Sequence, residues 1–171
     1  LILIFLYQPL LAENLNIQSS SIDIDKNLKL TIFKDNVIVE DSKKNILKTN
    51  YAEYNKELKL LISKGKTTLL TSEGFFLTSD NIIFDDAKKY IKSDNPTVIE
   101  DIEKNKIFLE KFEYSINDNF FKSTGKIKVE DSNKNSYNFS QIYIDEKKKE
   151  IVGTDAKTFL NEDSFKTNQK N

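Results

Sequence analysis

The chain has 171 residues, 38% hydrophobic and 31% charged, with 26 lysines set against 27 acidic residues for a net charge of −1. This length suffices for one domain with an apolar interior, and the interspersed, balanced charge leaves no basic footprint for nucleic acid. Cysteine, histidine and arginine are all absent, which removes disulfides, thiol chemistry, most zinc sites and the commonest general base. An enzyme is therefore not expected, and no catalytic residue, cofactor or metal ligand is assigned.

Residues 1–12, LILIFLYQPLLA, form an apolar run too short to span a bilayer, with Pro9 near its end and a small residue before Glu13-Asn14. The run reads as the remnant of a secretory signal peptide, with a retained membrane anchor as the alternative. Residues 13–160 read as one domain, and 161–171 as a polar linker or truncated C-terminus.

Within the domain the pattern repeats every 30 residues, most clearly in Phe75 to Asp101, FFLTSDNIIFDDAKKYIKSDNPTVIED. Its Phe84 aligns with Ile24, Tyr54, Tyr114 and Ile144. Two residues earlier a second apolar column runs through Ile22, Ala52, Ile82, Phe112 and Ile142, the period-two spacing of a strand with one dry face. Eleven residues after each anchor comes Asp35, Gly65, Asn95, Gly125 or Asp155, types that tolerate a left-handed turn backbone. Four residues further on, Val39, Leu69, Ile99, Val129 and Phe159 make a third column.

Each unit is expected to hold one long and two short strands; in the second these are Ile46 to Tyr54, Leu58 to Ile62 and Thr67 to Thr71. Five units predict roughly fifteen short, turn-punctuated strands. Connections such as Asn55-Lys56-Glu57 are too short for a crossover helix, so neighbours should be antiparallel. Inside the long strands the apolar alternation slips phase across a polar pair, Asp80-Asn81, Glu110-Lys111 and Ser140-Gln141, with Asn50-Tyr51 in the second unit as the exception. Such a slip marks a strand that bends from one sheet into another, so two facing sheets are expected. With no capping unit visible, both ends are candidate docking edges.

Paired carboxylates such as Asp23 with Asp25, or Asp85 with Asp86, could hold a cation, but they fall in turns where Asp ordinarily caps the backbone. The four glycines form no phosphate cradle, and a serine nucleophile would lack its histidine. The apolar columns are either plain core or the wall of a groove for acyl chains, each buried methylene contributing about 0.8 kcal/mol.

The succession of anchor strand and turn, with D-N-I-I-F-D-D followed by Y-I-K-S-D-N-P, resembles the OstA-like repeats of the lipopolysaccharide transport family, over about Leu15 to Leu160. The resemblance implies an all-β, antiparallel β-jellyroll in the periplasm, associated with the outer membrane, whose interior shields the lipid A acyl chains of lipopolysaccharide. It also implies edge-to-edge joining with other OstA-like jellyrolls. Carried onto this chain, the lipid-facing candidates are Ile24, Val39, Tyr54, Leu69, Phe84, Ile99, Tyr114 and Val129. The closing FLNEDSFKTNQKN is similar to the segment that leads from the N-terminal domain of the family's outer-membrane assembly protein into its barrel, so such a barrel is expected beyond Asn171. A periplasmic bridge protein, an inner-membrane-anchored relative and a purely structural envelope module are the alternatives.

Overall fold

The computed structural model describes residues 15–163. The expected leader remnant at 1–12 lies outside the described residues, as does most of the expected linker at 161–171.

Among the described residues sixteen strands form, all pairing antiparallel. The first half of the chain supplies β1 (Asn16–Gln18), β2 (Ser21–Asp25), β3 (Leu30–Glu40), β4 (Ile46–Asn55), β5 (Leu60–Ser63), β6 (Thr67–Leu70), β7 (Phe76–Ser79) and β8 (Ile83–Asp85). The second half supplies β9 (Tyr90–Ser93), β10 (Thr97–Glu100), β11 (Lys106–Leu109), β12 (Phe112–Ser115), β13 (Phe120–Glu130), β14 (Ser136–Asp145), β15 (Glu150–Thr154) and β16 (Lys157–Phe159).

The long strands β3, β4, β13 and β14 each belong to two sheets. Their halves nearer residues 30, 55, 120 and 145 join β2, β5, β8, β9, β12 and β15 in a first sheet. Their other halves join β1, β6, β7, β10, β11 and β16 in a second. The chain thus forms an antiparallel jellyroll whose two sheets run side by side in the same strand order. The expected corners fall where the alternation slips: β7 and β8 part at Asp80–Ile82 and β11 and β12 at Glu110-Lys111, whereas β4 and β14 bend unbroken. Bulges shift the register between Lys34 and Val37 in β3 and between Thr124 and Ile127 in β13. In these two units the two expected short strands are fused into one, which is why the unit pattern is not uniform.

The turns obey a spacing half as long as the sequence repeat. Lys29, Lys44, Lys59, Gly74, Lys89, Lys104, Asn119, Lys134 and Lys149, fifteen residues apart, all have positive φ. Each follows an Asx, Thr or Ser that opens the hairpin. Asp41, Asp101 and Asp131 accept two backbone N–H bonds each, and Asp85 and Asp145 one from Lys88 and Lys148. In the acidic pair Asp85 is occupied this way, and the Asp86 carboxylate meets Lys89 Nζ at 2.6 Å. Of the expected left-handed turn residues, Asp35, Gly65, Gly125 and Asp155 have positive φ and Asn95 does not. Asn95 precedes Pro96, whose ring drives the preceding residue to an extended conformation.

Candidate functional site

Register places one row of side chains along the inner face of the first sheet: Ile24, Thr31, Tyr54, Leu61, Phe84, Ile91, Tyr114, Phe121, Ile144 and Ile151. Opposite, the second sheet presents Ile17, Val39, Leu47, Leu69, Leu77, Ile99, Ile107, Val129, Tyr137 and Thr158. Their central members are the core of the protein. Burying a side chain such as Leu47 or Leu69 completely contributes about 1.5–3 kcal/mol.

The candidate lipid-facing residues sit in these two rows. Val39, Leu69, Phe84, Ile99, Tyr114 and Val129 are buried, and Tyr54 packs partly buried against them. Ile24 is 70% exposed, because among the described residues no further strand covers β2.

Where the chain passes between sheets, the inner face changes chemistry. Thr49, Ser63, Thr67, Ser79, Ser93, Thr97 and Ser123 are all buried. Thr67 Oγ1 donates to Ser63 Oγ at 2.9 Å, Thr97 Oγ1 to Ser79 Oγ at 3.0 Å, and Ser79 and Ser93 share a bond of 2.8 Å. Small hydroxyls fit where converging sheets leave no room for Leu or Phe, and by bonding to each other they offset the cost of leaving water. The interior therefore has a polar, narrow seam and an apolar side bounded by the hairpin turns. The columns read from the sequence missed this seam, although Ser63, Ser93 and Ser123 recur every thirty residues.

On the second sheet the turns bounding the apolar side are tied together by asparagines. Asn45 Oδ1 accepts from Ser72 N, Asn105 Oδ1 from Ser132 N and Asn135 Oδ1 from Asn161 N, each at 2.9 Å. The corresponding position in the intervening turn is Phe75, which has no amide and packs against the core. Beneath that turn lies a cavity of about 30 Å³ lined by Leu69, Thr71, Phe75, Leu77, Ile91, Ile99, Phe112, Tyr114 and Phe121. It has room for about one water, so the two sheets pack closely at this point.

Charged groups from the first sheet's turns reach the same apolar side. The Tyr114 hydroxyl lies 3.4 Å from Glu146 Oε2. Burial, with the Glu73 charge adding to it, pushes the Glu146 carboxyl up to about 7. Burial and the Asp86 charge likewise raise the Tyr54 hydroxyl. Among the described residues no group of three or more His, Cys, Asp or Glu is placed to hold a metal ion.

At both ends the inner rows run out uncovered. Ile22 and Ile24 are exposed on β2 and Ile151 on β15, while the second row ends at the exposed Thr158. Phe159, expected in the column of Val129, pairs with Ser136 and so faces the other way, as does the exposed Val152. β2 and β15 each pair on one flank only among the described residues, leaving backbone donors and acceptors on the other.

No family model and no curated protein matches the chain. Among solved structures it is similar to LptH, the LptA-homologous periplasmic component of the conserved lipopolysaccharide transport device from Pseudomonas aeruginosa, at 12% identity and a TM-score of 0.38, over 87% of this chain and 96% of that one. It is also similar to the TCP10 domain of Danio rerio CPAP, solved with a peptide of STIL, at 9% identity and a TM-score of 0.17, over 86% and 100% of the two chains. Likenesses this loose carry no argument about function, which rests on the residues themselves.

Proposed function

We propose that this chain is an OstA-like module of lipopolysaccharide transport in the periplasm. It shields lipid A acyl chains between its two sheets and passes them toward the outer membrane, without catalysing a reaction. The observation that carries the reading is the pair of largely apolar rows, broken by Thr31 and ended by Thr158, that run to uncovered edges at Ile24 and Ile151. A second like jellyroll added at either edge would extend both sheets and both rows, turning short cores into one longer channel. Val39, Tyr54, Leu69, Phe84, Ile99, Tyr114 and Val129 are the proposed acyl contacts, and Ile24 is assigned instead to the joint with the next domain.

Because the sheets pack closely beneath the Thr71–Phe75 turn, lipid access there requires them to part. The turn Thr71–Phe75, which lacks an asparagine tie to the neighbouring turn Asp101–Asn105, is the proposed point of opening.

Within the family the chain reads as the N-terminal domain of the outer-membrane assembly protein LptD, on the similarity of its closing segment. The exposed apolar residues at both edges favour a second reading, an LptA-like bridge with a neighbour on each side. The test is a photoreactive residue at the buried Phe84, with the exposed Lys88 as control, in cells that make lipopolysaccharide. Lipopolysaccharide adducts at Phe84 and none at Lys88 support the conduit. A folded, exported chain with no adduct at Phe84 or Tyr114 returns the interior to a purely structural role.

A further inference from the structure

The surface carries a second feature, at the corner near the C-terminal edge. Ser140 lies between the ladder pairs Phe139↔Ile127 and Gln141↔Thr124 on one flank, and between Asn138↔Lys157 and Gln141↔Thr154 on the other. The β13 bulge and the crossing from β15 to β16 thus leave β14 unpaired on both sides at one point. A groove of about 520 Å³ opens there, lined by Phe108, Lys126, Lys128, Phe139 and Lys157 together with Asp155.

The charges in this groove are not balanced. Lys128 pairs with Glu130 and sits 5.9 Å from the Phe108 ring centroid. The Asp155 carboxylate accepts a bond from the Ser140 hydroxyl. Lys126 and Lys157 are exposed, and neither forms an ion pair within 4.0 Å among the described residues. The floor beneath them is apolar, made of aromatic rings and lysine stems that lie along them.

The molecule supplies its own comparison. Ninety residues earlier, β3 carries the same bulge against β4. There the positions of Lys126, Lys128, Phe108 and Lys157 are held by Asn36, Ile38, Gln18 and Thr68. The two corners share a backbone shape; the earlier one carries a single lysine, Lys48 in place of Asn138, and the cluster of three lysines beside Phe108 belongs to the later one.

We propose that this corner groove binds the phosphate head of an anionic lipid, with Lys126 and Lys157 on the phosphate and Phe108 against the adjoining aliphatic segment. A free phosphate would use the ammonium groups but gain nothing from the apolar floor, so a lipid head is the better complement. The groove opens at the corner between the sheets, with Phe139, which also packs against the core, as its inner wall, and binding there does not require acyl chains to enter between the sheets.

The test is an amide NMR titration of the full chain with dihexanoylphosphatidylglycerol. Shifts are expected at Lys126, Ser140 and Lys157, and the double substitution Lys126→Gln with Lys157→Gln should weaken binding by about tenfold, as two exposed ion pairs lost together would. Lys48→Gln, at the equivalent corner, should leave binding unchanged, and dihexanoylphosphatidylcholine should bind much more weakly. Inorganic phosphate reproducing the shifts at equal concentration would overturn the lipid assignment. Unchanged binding by the double variant, or equal shifts around Asn36 and Lys48, would overturn the site.

Discussion

The Tyr114 hydroxyl meets Glu146 Oε2 at 3.4 Å, while Glu146 Oε1 is buried without a hydrogen-bond partner. Burial raises the Glu146 carboxyl from 4.5 to about 7, the Tyr114 bond opposes that shift, and the Glu73 charge adds to it. Burial and the Glu146 charge in turn keep Tyr114 protonated well above the usual phenol range. The folded state therefore binds the Glu146 proton more tightly than the unfolded chain does.

That difference fixes the sign of a pH effect. The stabilising contribution is fully present below 4.5 and is lost as pH rises to about 7. Glu146→Gln keeps the shape and removes the charge. Chemical denaturation across this window should show wild-type stability falling relative to the variant, with the two curves parallel above it. Curves that stay parallel throughout would remove Glu146 as the cause.

Asn105 joins two turns: its Nδ2 donates to Asp101 Oδ2 at 2.7 Å and its Oδ1 accepts from Ser132 N. Asn105→Ala leaves that amide and the Asp101 carboxylate short of partners, so a loss of roughly 1–3 kcal/mol is expected in the unfolding free energy. Asn27→Ala, in an exposed turn, is the control and should change stability by less than about 0.5 kcal/mol.

Lysine occupies seven of the nine left-handed turn positions, although its Cβ makes that backbone unfavourable by roughly 1–2 kcal/mol. Lys134 has φ 64 and sits in a hairpin opened by Asp131. Lys134→Gly should raise stability by roughly 0.5–1 kcal/mol, the relief of strain being partly offset by the greater freedom of glycine when unfolded. A melting temperature that falls would show that the lysine stem contributes packing the backbone argument omits.

How much of this was legible in the sequence depended on whether a residue's type reports its backbone. The period-two columns and the phase slips at Asp80-Asn81 and Glu110-Lys111 came through because apolar alternation directly encodes which face is dry. The fifteen-residue turn spacing did not, because lysine is no signal for a left-handed residue. Asn95 misled because its own preference was read without Pro96 beside it. Ile24 has the same neighbours in sequence as the buried anchors, and its exposure follows from being at the end of the stack, a position that a local pattern does not carry. The hydroxyl seam was hidden because serine and threonine are read as surface until a partner hydroxyl is placed within reach.

The last prediction concerns how the interior is closed at its C-terminal end. Gly153 in β15 lies opposite Ile142, and a Cβ at Gly153 would stand 2.8 Å from Cδ1 of the Phe139 ring. Phe139 belongs to the other sheet's half of β14, so this contact holds a ring from one sheet against the backbone of the other. Gly153→Ala must push the ring aside or part the sheets, and overpacking of this kind costs roughly 1–3 kcal/mol. Gly65 has no neighbour within 4 Å of an added Cβ, but its positive φ makes Gly65→Ala a measure of backbone strain alone, about 1 kcal/mol. Amide hydrogen exchange separates the two mechanisms. Gly153→Ala should speed exchange selectively in β15 and β16, where the sheets lose their shared ring, while Gly65→Ala should lower protection evenly. If Gly153→Ala leaves β15 as protected as before, Phe139 moves freely and the end of the interior is already loose.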